Sequence, residues 1–215
     1  MTPAHWLAHE KTMTLLKSLR SRSTDRKLRL FACACGRRVE HLGYRGGTAD
    51  SFDACRDADR RAIEVAEQVA DGLRPTADLI AASRPLATGS IGRFVTRSAA
   101  KTAAAEVVNL LYLLAIPPHE AKTAKKLLKL LGQVELLREI FGDIRPVRFS
   151  GQWRTSTAVA LAHQMYESLD FSAMPILADA LQDAGCDSAE ILDHCRGPGP
   201  HVRGCWVVDL VLAKE

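Results

Sequence analysis

Aromatic residues make up only 6% of this chain, and no long uninterrupted apolar run occurs in it. A β-sandwich fills its pleated faces with aromatic and β-branched side chains, so the shortage argues against one. The most apolar stretch, Ala103 to Ile116, is broken by Glu106 and Asn109 and is too short to cross a bilayer, so no membrane span is expected. Met1 to Arg20 holds no apolar core of the kind an export signal needs, which points to a cytoplasmic protein. The chain also lacks G-x-G-x-x-G, Gly-Lys-Ser/Thr, H-E-x-x-H and G-x-S-x-G motifs, and with them the usual phosphate loops, zinc proteases and serine hydrolases.

What is present favours helices. Apolar residues make up 47% of the 215 residues, enough for a full core, and Ala and Leu are common. The periodicity predicts an all-α, compact multi-helix bundle of about eight to ten helices. Thr2 and Pro3 open a helix to His9, and a second covers Thr12 to Leu19. Thr24 or Asp25 caps a third, whose apolar stripe is Leu28, Phe31, Ala32, Cys35, Val39 and Leu42. A fourth runs from Asp50 to Asp71 with Asp57, Arg60, Arg61, Glu64 and Glu67 facing water, and Gly72 ends it. Thr76 to Ser83 is a short helix, and Pro85 to Gly92 is a connector expected to be the least ordered stretch.

Ser98 to Ala115 is apolar nearly all round and reads as a central helix, stopped by Pro117 and Pro118. Glu120 to Phe141 follows, closed by Gly142. Farther on, Ser156 or Thr157 opens a helix to Leu169, and Ser172 and Pro175 open one that ends at Gly185. Asp187 caps Ser188 to Arg196, with Glu190 placed as in a capping box. The last segment, His201 to Lys214, fits a helix or a strand, and a helix is favoured in this setting. Residues 1–215 read as a single helical domain, with subdomains 1–142 and 153–215 joined at 143–152 as the variant of that organisation.

Charge is distributed unevenly. The net charge is +4, with basic segments at residues 1–40 and 91–150 and an acidic one at 151–215. Lys122, Lys125, Lys126 and Lys129 form one basic helix face, and Arg20 to Arg29 form a second basic run. Such faces are usually solvated surface, and neither stacking aromatics nor a recognition-helix motif accompanies them. Nucleic-acid binding through Lys122, Lys125, Lys126 and Lys129 is the alternative reading.

Six cysteines occur without an export signal, so they read as free thiols, mostly small buried hydrophobes, rather than a disulfide framework. The densest polar cluster is His194, Cys195, His201 and Cys205, in the order H-C-x5-H-x3-C. It offers four zinc-type donors, but adjacent His194 and Cys195 cannot easily reach one ion. Cys33 and Cys35 point to different sides of their helix and make a poor ligand pair. Cys205 with His201 as base is conceivable as a nucleophile pair, though nothing supplies an orienting group or oxyanion hole. The Gly197 to Gly204 loop fails as a phosphate cradle because two prolines remove N–H donors. Arg196, His201, Arg203 and Trp206 are the residues singled out for binding an anion or partner carboxylate. No metal or cofactor is assigned.

Three strings carry a resemblance: Leu28 to Cys35 (LRLFACAC), Leu137 to Gly142 (LREIFG) and Pro175 to Cys186 (PILADALQDAGC). With the closing His194 to Asp209 (HCRGPGPHVRGCWVVD), they resemble an uncharacterised bacterial family of planctomycete-type genomes with many paralogues. Ala178 to Gly185 is also faintly similar to the repeat-companion motif of those genomes. The resemblance covers both ends of the chain and implies a bacterial, cytoplasmic origin without an activity. The leading expectation is a non-enzymatic helical interaction module or assembly subunit whose partner is another protein. A zinc-binding protein or enzyme at the carboxy-terminal His/Cys cluster is the weakest of the three readings.

Overall fold

Helix starts are set locally along this chain. In the computed structural model, which describes residues 2–19, 23–39, 49–86, 90–115, 132–142 and 147–214, the Thr2 hydroxyl accepts the His5 amide and Pro3 takes the first turn of α1, Pro3–Ala8. The other helices among the described residues are α2 Thr12–Ser18, α3 Asp25–Val39, α4 Ala49–Ala70, α5 Ala77–Ser83, α6 Ile91–Val95, α7 Ala100–Ala115 and α8 Gln133–Phe141. After a 3-10 turn at Gly151–Trp153 come α9 Ser156–Ser168, α10 Met174–Asp183, α11 Ala189–Arg196 and α12 Trp206–Leu212. No strand occurs among these residues, so the protein is all-α, and its last segment is a helix. None of these helices is long and apolar enough to cross a membrane.

The chain divides into two compact units: residues 10–137, and residues 138–215 together with 1–9. The divide falls inside α8, between Leu137 and Arg138.

In the unit of residues 10–137, α3 packs on α4, α6 and α7. The expected stripe of Leu28, Phe31, Ala32, Cys35 and Val39 is buried, but so are Leu30, Cys33, Ala34 and Gly36. Cover from several helices removes the polar face that one stripe implied. Burying a side chain such as Phe31, which is wholly inaccessible, contributes about 1.5–3 kcal/mol. Glu67, expected in water, is buried because the Arg37 guanidinium grips it at both ends, Nε–Oε1 2.7 Å and Nη2–Oε2 2.8 Å. Buried Arg29 donates to the carbonyls of Val95, Arg97 and Ser98 at the end of α6. α7 is buried along most of its girth at Ala100, Ala103, Ala104, Val107, Val108 and Leu111, as its composition implied.

The expected connector before Gly92 is structured at its end. Ser90 caps α6 through the Arg93 amide, and Leu86, Ser90 and Ile91 are buried; residues 87–89 lie outside the described residues. Gly92 has no room for a side chain, since a Cβ there would lie 2.7 Å from Asp59 Oδ1 and 2.9 Å from Leu86 Cδ1. Its amide donates to that same Asp59 oxygen at 3.1 Å. Gly92→Ala is therefore expected to cost about 1–3 kcal/mol, the range for overpacking a filled interior. A urea midpoint unchanged from wild type would show that this junction gives way freely.

In the other unit, α9 packs on α10 and α12, and α11 packs on α10 and α12. Met165, Leu177, Leu181, Ile191, Val207 and Val208 fill the core. Two details differ from the sequence expectation. α9 is capped by Thr155, one residue early, with its hydroxyl accepting the Ala158 amide. α11 has Ser188 rather than Asp187 at its N-cap and no side-chain cap bond there, so the expected capping box does not form. Buried Trp6 donates its indole N–H to the Gly142 carbonyl at 3.0 Å, while Arg138 donates to the carbonyls of Trp6, Leu7 and His9. These bonds tie α1 to the end of α8.

Candidate metal centre

Four side chains of different chemistry meet inside the unit of residues 138–215 and 1–9: Glu139, His194, His201 and Cys205, whose ligand atoms all lie within 4.8 Å of one another. Each arrives by a separate route. Glu139 projects from α8 one turn before Gly142. His194 comes from the last turn of α11, His201 from the loop that follows it, and Cys205 from the residue that precedes α12.

The distances are short. His194 Nε2 is 3.2 Å from Cys205 Sγ and 3.4 Å from Glu139 Oε2, and His201 Nδ1 is 3.1 Å from Glu139 Oε1. Ligands at Zn–N and Zn–S distances of about 2.0–2.3 Å in a tetrahedron stand about 3.3–3.7 Å from one another, so the observed spacing is near that of a zinc site.

The surroundings hold the donors in place. Trp206 donates its indole N–H to His194 Nδ1 at 3.1 Å and lies against that ring, centroids 5.0 Å apart and planes tilted by 58°. Behind the indole lies Gly142 in the left-handed region, φ +64°, where a Cβ would come within 3.1 Å of the Trp206 ring. Only glycine satisfies both the backbone angle and the close approach, and this fixes α12 against the end of α8. His201 Nε2 faces the Gly197 carbonyl at 3.4 Å, and the two imidazoles meet edge to face at 5.1 Å.

The electrostatics follow from burial and proximity. Burial alone would raise the Glu139 carboxyl, but hydrogen bonds from His194 and His201 and electrostatic attraction towards the His194 ring bring it down to about 2. Burial pulls His201 down, yet the Glu139 hydrogen bond and charge outweigh it and leave His201 above its ordinary value. Burial first, and then the Glu139 carboxylate, push the Cys205 thiol well up. A fully buried, protonated thiol is not a nucleophile for a solute. A cation placed among these groups would instead stabilise the thiolate and the carboxylate together.

The sequence named three of these four donors. Cys195 is fully buried in the apolar core and is not one of them, its thiol raised to about 12 by burial and by Glu139. All six cysteines are free, as the composition implied. Glu139 was missed. It lies far upstream of the His/Cys string, on a different helix.

The residues singled out for binding do not converge. His201 and Trp206 belong to the centre. Arg196 donates to Asp179 Oδ1 at 2.9 Å and to Gln182 Oε1 at 2.6 Å. Arg203 lies over the Tyr166 ring at 4.5 Å, and Lys214 lies over the same ring at 4.8 Å. The basic face of Lys122, Lys125, Lys126 and Lys129 lies outside the described residues. The chain matches no family model, no curated protein and no solved structure.

Proposed function

We propose that this chain is a zinc-binding helical protein, with its metal centre at Glu139, His194, His201 and Cys205. One observation carries the reading: a carboxylate, two imidazoles and a thiol from four separate segments place their ligand atoms within 4.8 Å of one another. Imidazole and thiolate select zinc over magnesium or calcium, which want oxygen donors and larger coordination shells. The partners behind the donors also support the reading, because rings and carboxylates that hold a metal are themselves held by a further layer of contacts. The Gly197 carbonyl does this for His201, facing the ring nitrogen that points away from the centre.

Purified protein, stripped of metal and then dialysed against zinc, should retain about one zinc per chain, as a single centre requires. Cys205→Ser and Glu139→Gln should lose it while keeping a helical circular dichroism spectrum. A hydrogen-bonded network without a metal has the same spacing, and it is the correct reading if the wild-type protein retains no zinc.

A further inference from the structure

The two histidines of the centre are held by neighbours of opposite hydrogen-bonding character. The Gly197 carbonyl can only accept, so His201 can keep a ring proton on Nε2 and free its Nδ1, which hydrogen-bonds Glu139, for a cation. An indole can only donate, so His194 Nδ1 is the acceptor of the Trp206 N–H at 3.1 Å. The ring proton of neutral His194 therefore sits on Nε2, the atom that faces Cys205 Sγ and Glu139 Oε2. His201 is set as a ligand; His194 is set as a donor. If His194 bound a cation through Nε2, its proton would have to sit on Nδ1, head-on to the Trp206 N–H, and that buried indole would lose its acceptor.

We infer that a cation at this centre is held by Glu139, His201 Nδ1 and Cys205, and that His194 donates its Nε2–H to a small monodentate ligand taken from solution as the fourth. The inference rests on the zinc reading above. The exposure of the side chains agrees with it. His194 is the most accessible of the four at 18%, against 9% for His201 and 4% for Glu139, and Cys205 is fully buried. The fourth ligand thus enters on the side where the centre is nearest to solvent. Three protein ligands with one exchangeable position mark the zinc sites that take a reactant, whereas four protein ligands mark purely structural ones. The ligand class is a water or a small anion such as azide, able to accept one hydrogen bond from an imidazole.

Cobalt(II) in place of zinc gives a visible spectrum that reports thiolate ligation and coordination number. Titrated with cobalt, the full-length wild type and His194→Gln should both show the thiolate band. His194→Gln is expected to bind no more than about 10–100-fold more weakly, the range for losing a partner outside the ligand set. His201→Gln should lose the band altogether. Azide should change the ligand-field bands of the wild type. In Trp206→Phe the competing indole N–H is gone, so His194 is free to shift its proton to Nδ1 and ligate through Nε2. That variant should bind cobalt more tightly and ignore azide, a comparison that stands even if His194→Gln fails to fold. Loss of cobalt from a folded His194→Gln as complete as from His201→Gln overturns the inference and leaves a four-ligand structural zinc. So does a wild-type spectrum indifferent to azide. If the wild type takes up neither cobalt nor zinc, the zinc reading itself falls.

Discussion

Zinc added to the metal-free protein should raise its unfolding temperature. A ligand that binds the folded chain and not the unfolded one adds about 2.7 kcal/mol when its free concentration is a hundred times its dissociation constant. For a protein of this size that corresponds to about 5–11 °C. The donors cannot assemble without the fold, because Glu139 is far in sequence from the others and His194, His201 and Cys205 are brought together only by α11, α12 and the loop between them. Magnesium at the same concentration should give no shift, since a site with one carboxylate, two imidazoles and a thiol does not satisfy a cation that demands an octahedron of oxygens. Differential scanning fluorimetry with Cys205→Ala alongside decides the matter. An equal zinc shift in that variant would place the stabilising site elsewhere.

The second large effect is expected at Trp206. This side chain is 9% exposed, lies against the His194 ring, donates to it at 3.1 Å and packs against Gly142. Truncating a buried large aromatic costs about 3–5 kcal/mol, and Trp206→Ala should fall in that range by chemical denaturation. Two losses act together. The cavity would open between α12 and the end of α8, and the His194 ring would lose the indole packed against it and its hydrogen bond. A cost below about 1 kcal/mol, typical of exposed positions, would mean that α12 is held by its Val207, Val208 and Val211 contacts alone. Metal-free protein should be used for this measurement, so that the stability of α12 is read separately from that of the centre.

The helices were legible because their signals are local. Thr2 and Pro3, Gly72 after α4 and Gly185 after α10 mark boundaries that depend only on a few neighbouring residues and on backbone geometry. Alternation that suited either a strand or a helix in residues 201–214 resolved into α12, whose Val207, Val208 and Val211 all face one core. The His/Cys density of residues 194–205 also pointed to the right place. Its donor set could not be completed there, because adjacent residues on a helix project about 100° apart and Cys195 turns into the core as His194 turns away.

Other features were decided only by tertiary structure. Whether α3 buries one stripe or its whole girth depends on how many helices cover it, and Glu67 could leave water only because Arg37 was brought opposite it with two parallel hydrogen bonds. The Asp187–Glu190 pairing had the right residues for a cap, yet the N-cap is Ser188, one residue later. Glu139 lay within the LREIFG string, but nothing there marked it as a metal donor, since a carboxylate on an amphipathic helix looks the same whether it meets solvent or two histidines. Periodicity along a chain encodes which backbone is helical. Which donors meet is a property of distance in space, and it was settled when α8, α11 and α12 closed around Trp206 and Gly142.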